Sequence, residues 1–66
     1  MSFGKRCLEF RAKHNLTQKK FADLIGVNVF MIYRYENEIS EPSAVNKIKF
    51  ENKMKEYEVE KNVQVL

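Results

Sequence analysis

Two short segments of the chain carry side chains suited to contact with a polyanion. One is the run Thr17-Gln18-Lys19-Lys20, and the other ends in Arg34. Hydroxyl, amide and ammonium groups bind phosphate oxygens, and the planar fork of an arginine matches the O6 and N7 acceptors of guanine. Nucleic acid is therefore the first ligand class that these residue types indicate.

Other kinds of site chemistry have little support in the sequence. The chain has one cysteine and one histidine, too few for a zinc site built from these residue types. Cys7 occupies a core position of the first predicted helix, and His14, at the end of that helix, is expected to complement the helix dipole. The sequence has neither a glycine-rich phosphate loop nor a convergent pair of carboxylates. We expect no enzymatic activity, no catalytic residues, no cofactor, no metal and no small-molecule ligand.

Length and composition indicate one small folded domain. The 66 residues are 44% apolar and 32% charged, which is typical of neither a disordered chain nor a disulfide scaffold. A core of this size supplies only about 3 to 5 kcal/mol of stability. The longest apolar run, residues 29–33, is far shorter than the ~20 residues of a membrane span, and the N-terminus lacks a signal-peptide core. These features predict a cytoplasmic protein without membrane association.

Basic residues are concentrated in the first half of the chain. Residues 1–34 contain seven Lys and Arg against two acidic residues, whereas residues 35–66 contain five lysines against seven glutamates. A concentrated positive face attracts polyanions. The asymmetry favours nucleic acid as a partner, although a solvated lysine-rich surface explains the charge alone equally well.

Apolar spacing and capping residues predict an all-α domain of four helices, with a fifth left open. The predicted helices span residues 3–14, 18–25, 29–37 and 44–57, preceded by the capping residues Ser2, Thr17, Asn28 and Ser43. Gly26 lies where the second helix ends, a position that favours the left-handed conformation. The third helix is predicted against propensity, because residues 29–35 are rich in β-formers. Only Val27 and Asn28 remain as linker before it, which favours a helix.

The last third of the chain has two apolar faces and a C-terminal tail for which two structures fit the sequence. The fourth predicted helix carries Ala44 and Ile48 on one face, then Phe50, Met54 and Tyr57 on another. We take residues 1–57 as the domain and residues 58–66 as a tail that dimerises or frays, for which helical spacing and strand-like alternation both fit. The candidate dimer interface comprises Met54, Tyr57, Val59 and Val63.

The second and third predicted helices, with a three-residue turn containing glycine, have the outline of a helix-turn-helix, whose second helix enters the major groove. Specific residues extend the match: Leu16-Thr17-Gln18, Phe21-Ala22, Gly26-Val27-Asn28, the run from Ile32 to Asn37, and Pro42. Over about residues 3–43 this pattern resembles the Cro and repressor-type helix-turn-helix family, often called the Xre family.

The resemblance implies a biological role. It is that of a bacterial or phage transcriptional regulator, a repressor, which binds double-stranded DNA sequence-specifically. Members commonly bind as homodimers to two half-sites about 34 Å apart. The resemblance also implies an ion pair between Arg11 and Glu36, which joins the first helix to the end of the third.

The candidate DNA-binding residues lie on the third helix and around it. Helical spacing turns Ile32 and Tyr35 inward, and the candidates for contact with base edges are then Val29, Phe30, Tyr33 and Arg34. The candidates for phosphate contact are Thr17, Gln18, Lys19, Lys20 and Asn28, with Asn37 added from the resemblance. The dipole of the second helix disfavours Lys19 and Lys20 in its first turn, and a bound phosphate would compensate. The alternative is that both lysines simply face solvent.

Departures from the family pattern keep other functions open. Val29 and Phe30 are apolar where the family is usually polar, so the alternative function is a protein-interaction module, antitoxin-like or an adaptor, that uses this face. A buried Phe30 is a third possibility, and a membrane-bound amphipathic peptide is the least favoured because the apolar faces are needed for the core. Glu38 stands where the family has glycine, so Asn37 is expected to adopt the left-handed conformation in its place.

Overall fold

A computed structural model describes the backbone of residues 2–63 and the side chains of residues 2–61. Four helices make up the described part of the chain: α1 (Phe3–His14), α2 (Gln18–Ile25), α3 (Val29–Glu36) and α4 (Ala44–Val63). The predicted all-α class is confirmed, and the predicted bounds of the first two helices agree with the structure. The predicted third helix is one residue too long, since Asn37 is its C-terminal cap.

Capping side chains explain where the helices begin. Ser2 Oγ accepts a hydrogen bond of 3.2 Å from the amide of Lys5, and Thr17 Oγ1 accepts one of 3.0 Å from Lys20. Asn28 Oδ1 accepts a hydrogen bond of 2.8 Å from the amide of Phe30. Each bond satisfies an amide that has no partner within its helix. Capping therefore makes residues 29–36 helical despite their β propensity.

The second helix ends as its sequence predicts. Gly26 has a φ of 88° and donates its amide to the carbonyl of Ala22 over 2.8 Å. A residue with a Cβ is disfavoured by about 1 to 2 kcal/mol in this left-handed conformation. Gly26 thus allows the sharp turn from α2 into α3.

The core is built from one face of each helix and is largely aromatic. Its buried members are Phe3, Cys7, Phe10, Phe21, Ala22, Ile25, Ile32, Tyr35, Phe50 and Met54. Phe50 of α4 packs edge-to-face on Phe3 of α1 and Tyr35 of α3, with ring centroids 5.2 Å and 5.7 Å apart. The predicted inward face of α3, formed by Ile32 and Tyr35, is confirmed.

Close approach of α1 and α3 depends on Gly4, which the sequence did not single out. A Cβ on Gly4 would lie 2.0 Å from the carbonyl oxygen of Tyr35. That is far inside van der Waals contact, so any larger residue must push the two helices apart. A glycine inside an otherwise regular helix was the signal that could have identified this contact.

The turn after α3 differs from the expectation. Asn37 has an ordinary φ of −92°, and Glu38 adopts the left-handed conformation with a φ of 58°. The prediction that Asn37 takes this conformation is therefore wrong. Glu38 occupies the position that has glycine in the family, and its amide donates to the carbonyl of Tyr35.

The predicted end of the fourth helix is also wrong. Helix α4 continues to Val63, so residues 58–63 are helical and the strand alternative fails for them. Glu58 lies 3.1 Å from Lys13 Nζ and 2.9 Å from His14 Nε2, and these contacts hold the added turns against the end of α1. Residues 64–66 and the side chain of Val63 lie outside the described part. The division of the chain at residue 57 into a domain and a tail stays a prediction.

The expected dimer interface on α4 is corrected at two residues. Met54 is 1% exposed in the core, and Tyr57 is half-buried, with its ring centroid 5.0 Å from that of His14. Neither is free to form the predicted dimer interface. Ala44 and Ile48, on the other predicted apolar face of this helix, are both exposed. The outward side of α4 therefore carries apolar residues that its own domain does not cover.

Candidate nucleic-acid interface

The α2–turn–α3 unit is positioned by a small set of buried residues. Ala22 and Ile25 anchor α2, while Ile32 and Tyr35 anchor α3. A turn of three residues, 26–28, separates the two helices. Because positions 32 and 35 point inward, the opposite side of α3 is left to solvent.

That outward side presents three of the four residues expected to contact base edges, while Val29 lies at its border, partly buried against the core. Phe30 is 69% exposed and Tyr33 is 49% exposed; Arg34 is also exposed and Val29 is half-buried. Residues Val29, Phe30 and Tyr33 line an open groove of about 190 Å³ together with Gln18. The structure places all four side chains on one helix, and it rules out a buried role for Phe30.

A hydrogen-bonded network fixes α3 relative to the rest of the molecule. Arg11 Nε and Nη2 donate to the two carboxylate oxygens of Glu36, each over 2.7 Å, and Arg11 Nη1 donates to the carbonyl of Leu16. Gln18 Nε2 donates to Glu36 over 3.0 Å. The hydrogen bond to Glu36 raises the pKa of Arg11. The network ties α1 and the beginning of α2 to the end of α3.

The network gives Gln18 a structural role that sequence reasoning missed. One amide hydrogen of Gln18 is donated to Glu36, and within residues 2–61 its carbonyl oxygen and second amide hydrogen have no hydrogen-bond partner. From the sequence, Gln18, which follows the cap Thr17, is expected only to contact phosphate. Its three-dimensional neighbour, Glu36, is 18 positions away and could not be inferred from spacing.

The beginning of α2 brings the other three phosphate candidates of this segment together. Thr17 caps the helix, and Lys20 is exposed beside it. Lys19 forms an exposed ion pair with Asp23, one turn later, with 2.7 Å between Nζ and Oδ1. This pair offsets part of the unfavourable interaction between Lys19 and the helix dipole.

Asn28 and Asn37 lie at opposite ends of α3. Asn28 caps the first turn through Oδ1, and Asn37 Nδ2 donates a hydrogen bond of 2.8 Å to the carbonyl of Tyr33. The contact between Gln18 and Glu36 brings the beginning of α2 close to the Asn37 end. Of the six phosphate candidates, Asn28 and Asn37 therefore lie at the two ends of α3, and Gln18 contacts its last residue.

The thiol of Cys7 lies in the core, away from solvent. Cys7 is fully buried, and burial raises the pKa of its thiol to about 12. A thiol with such a pKa carries almost no thiolate near neutral pH. Among residues 2–61, no group of three His, Cys, Asp or Glu residues is arranged to hold a metal.

Comparison with known families and proteins gave one positive result. A family model described as helix-turn-helix matches residues 8–59, well over half of the chain. No curated protein and no solved structure gave a significant match. Within the described helices, none is long and apolar enough to span a bilayer.

Proposed function

Because this chain belongs to the helix-turn-helix family of the Cro and Xre type, whose members are DNA-binding transcription regulators, we propose that α3 reads double-stranded DNA in the major groove. The observation that carries the proposal is the division of α3 into two sides. Ile32 and Tyr35 anchor the helix in the core, while Phe30 and Tyr33 stand well exposed on the other side with Arg34. A recognition helix requires this arrangement.

Each outward residue has a chemical role in the proposal. Arg34 donates a bidentate pair of hydrogen bonds to a guanine, a contact typically worth about 1 to 3 kcal/mol of discrimination. Phe30 and Val29 pack on a thymine methyl group, and Tyr33 stacks or bonds to a phosphate. The operator is therefore expected to combine a guanine with an adjacent thymine-containing step.

Phosphate contacts at both ends of α3 would orient the helix in the groove. Eight residues at 1.5 Å per residue give α3 a length of about 12 Å, similar to the width of the major groove. One DNA backbone is bound by the beginning of α2 and by the end of α3. The groups that contact it are Thr17, Gln18, Lys19, Lys20, the free amides that begin α2, and Asn37. Asn28 binds near the other end. These contacts supply affinity that does not depend on sequence.

The finer biological role is taken from the family resemblance. We assign the domain the role of a repressor that acts in the bacterial cytoplasm, where the DNA lies. Two copies on a symmetric operator would read two half-sites about 34 Å apart.

One observation favours a second function, that of a protein-interaction module. Phe30 is 69% exposed, and an exposed aromatic side chain next to an apolar groove is also typical of a protein interface. Salt separates the two functions. Binding to phosphates weakens about 10³- to 10⁵-fold between ~50 and ~200 mM salt, when 6–10 contacts form. An apolar protein interface responds little to the same change.

The proposal is tested by selection of binding sites from random duplexes, followed by titrations of the recovered site at several salt concentrations. We expect a recurrent motif, a steep salt dependence, and tighter binding to the motif than to a scrambled duplex of equal composition. Recovery of no motif, with equal binding to both duplexes, would contradict sequence-specific reading. An affinity that does not change with salt concentration would contradict the phosphate contacts.

A further inference from the structure

Helix α4 has a second apolar face, directed away from the core. We call it the outer stripe, and it consists of Val45, Ile48, Asn52, Lys55 and Val59. All five residues are exposed. The three apolar members are 75%, 62% and 52% exposed, respectively. The buried residues of the same helix, Phe50 and Met54, lie on its opposite side.

The spacing of the outer stripe is that of a coiled-coil seam. Its members follow one another at intervals of three, four, three and four residues, so they occupy alternating a and d positions of a heptad. Val45, Asn52 and Val59 are at a positions, and Ile48 and Lys55 are at d positions. An asparagine at one a position of a seam specifies register.

We propose that the outer stripe binds the outer stripe of a second copy of this chain, with the two α4 helices antiparallel. In that arrangement a positions face d positions, so Ile48 of each copy packs on Val59 of the other. Asn52 of each copy then faces Lys55 of the other, where the amide oxygen accepts a hydrogen bond from the ammonium group. Four of the five members of the stripe are thereby matched, and Val45 falls opposite position 62, outside the stripe.

The charges beside the seam favour the same orientation. On one side, antiparallel pairing places Lys49 of each copy next to Glu56 of the other, which gives two opposite-charge contacts by symmetry. On the other side it brings Glu51 near Glu58 of the second copy. Those two carboxylates already have partners within their own chain, since Glu51 pairs with Arg6 over 2.9 Å and Glu58 pairs with Lys13 and His14. Their mutual repulsion is therefore reduced.

Parallel pairing would match Asn52 with Asn52, but the charged residues in and beside the seam disfavour it. It would stack Lys55 on Lys55 in the middle of the seam, where both ammonium groups lose water. It would also place Glu51 opposite Glu56 across the flank of the seam. Unlike the antiparallel arrangement, it offers Lys49 no acidic partner, because Ala44 is the residue that faces it.

The inference deepens the proposed function, since it identifies the surface through which two copies would meet on an operator. It rests on the proposed function only for the biological role of the dimer. The outer stripe and the outward side of α3 lie on different helices and share no residue. Measurements of molecular mass without DNA separate the two proposals: failure to associate overturns this one and leaves DNA reading by α3 intact.

The test is sedimentation equilibrium of the full chain from ~10 µM to ~1 mM, a range that covers weak dimers. We expect a reversible monomer–dimer equilibrium, weakened at least about tenfold by Ile48→Lys. The matched control is Ile39→Lys, since Ile39 is also 62% exposed but lies outside α4. A chain that is monomeric throughout overturns the proposal and leaves the stripe to another partner. Equal weakening by both variants also overturns it.

Charge reversal tests the orientation. Lys49→Glu alone and Glu56→Lys alone should each weaken the dimer, because each creates two like-charge contacts. The double variant Lys49→Glu/Glu56→Lys should restore association, because it exchanges the signs and keeps the pairing. Circular dichroism of each variant checks that α4 is still helical. A dimer that none of these changes affects, or a double variant weaker than both single variants, overturns the antiparallel arrangement.

Discussion

Arg11 holds Glu36 in a two-point ion pair, with both hydrogen bonds 2.7 Å long, at a place where only 3% of the Glu36 side chain is exposed. The pair joins α1 to the last residue of α3. The outward face of α3 can read DNA only if the helix is held at a fixed angle to the domain. This buried pair and the close contact of Gly4 with Tyr35 both hold the C-terminal end of α3 against α1.

Removal of Arg11 is expected to unfold most of the protein. Arg11→Ala leaves the buried carboxylate of Glu36 without its cation, at a cost of about 3 to 5 kcal/mol, which is close to the entire stability of a core this small. Thermal denaturation followed by circular dichroism measures the loss. Arg6→Ala is the control, because its partner Glu51 is 45% exposed and such pairs contribute about 0 to 1 kcal/mol. Equal losses of stability in the two variants would contradict the difference between the buried ion pair of Arg11 and the exposed ion pair of Arg6.

Gly4→Ala should separate α1 from α3. The added Cβ would lie 2.0 Å from the carbonyl oxygen of Tyr35, and overpacking of a tight contact costs about 1 to 3 kcal/mol. Urea denaturation gives the change in the free energy of unfolding. Lys5→Ala, at the adjacent exposed position of α1, should change stability by less than about 0.5 kcal/mol. A fully stable Gly4→Ala protein would show that the two helices are not in close contact.

Stability in acid should depend on Glu58. Hydrogen bonding from His14 and Lys13 lowers the pKa of Glu58 below its ordinary value of 4.5. A carboxyl with a lowered pKa in the folded state stabilises the fold above its unfolded pKa and loses this effect as the pH falls through its folded pKa. The stability difference between wild type and Glu58→Gln should therefore be largest above about pH 5 and shrink in more acidic solution.

Urea denaturation at a series of pH values measures that difference. Glu60→Gln, which changes an exposed carboxylate on the same helix, serves as the control. A difference for Glu58→Gln that stays constant down to about pH 3, below the ordinary glutamate pKa, would contradict the coupling between α1 and the end of α4.

Local signals explain which parts of this fold were predictable. Caps and apolar spacing identified α1, α2 and α3, because Thr17 and Asn28 act on amides only two or three residues away. The continuation of α4 to Val63 depends on contacts of Glu58 with Lys13 and His14, which are distant in sequence. The burial of Met54 likewise depends on how α4 packs, and no pattern within α4 alone distinguishes its core face from its outer stripe.

Lys20 should affect affinity without affecting specificity. A phosphate contact carries no sequence information, so Lys20→Ala should weaken binding to selected and scrambled duplexes by similar factors and reduce the salt slope by about 1. Fluorescence anisotropy at several salt concentrations measures both quantities. Lys53→Ala, an exposed lysine of α4, is the control with the same change in charge and should bind as wild type does.

The contact between Arg34 and a guanine tests the central claim most directly. In the selected duplex, each guanine is replaced in turn by 7-deazaguanine, which removes the N7 acceptor from the major groove and preserves base pairing. We predict that wild type loses about tenfold or more in affinity at one guanine, and that Arg34→Ala is insensitive to the same replacement. Equal losses in both proteins, or no sensitive guanine at all, would contradict major-groove reading by α3.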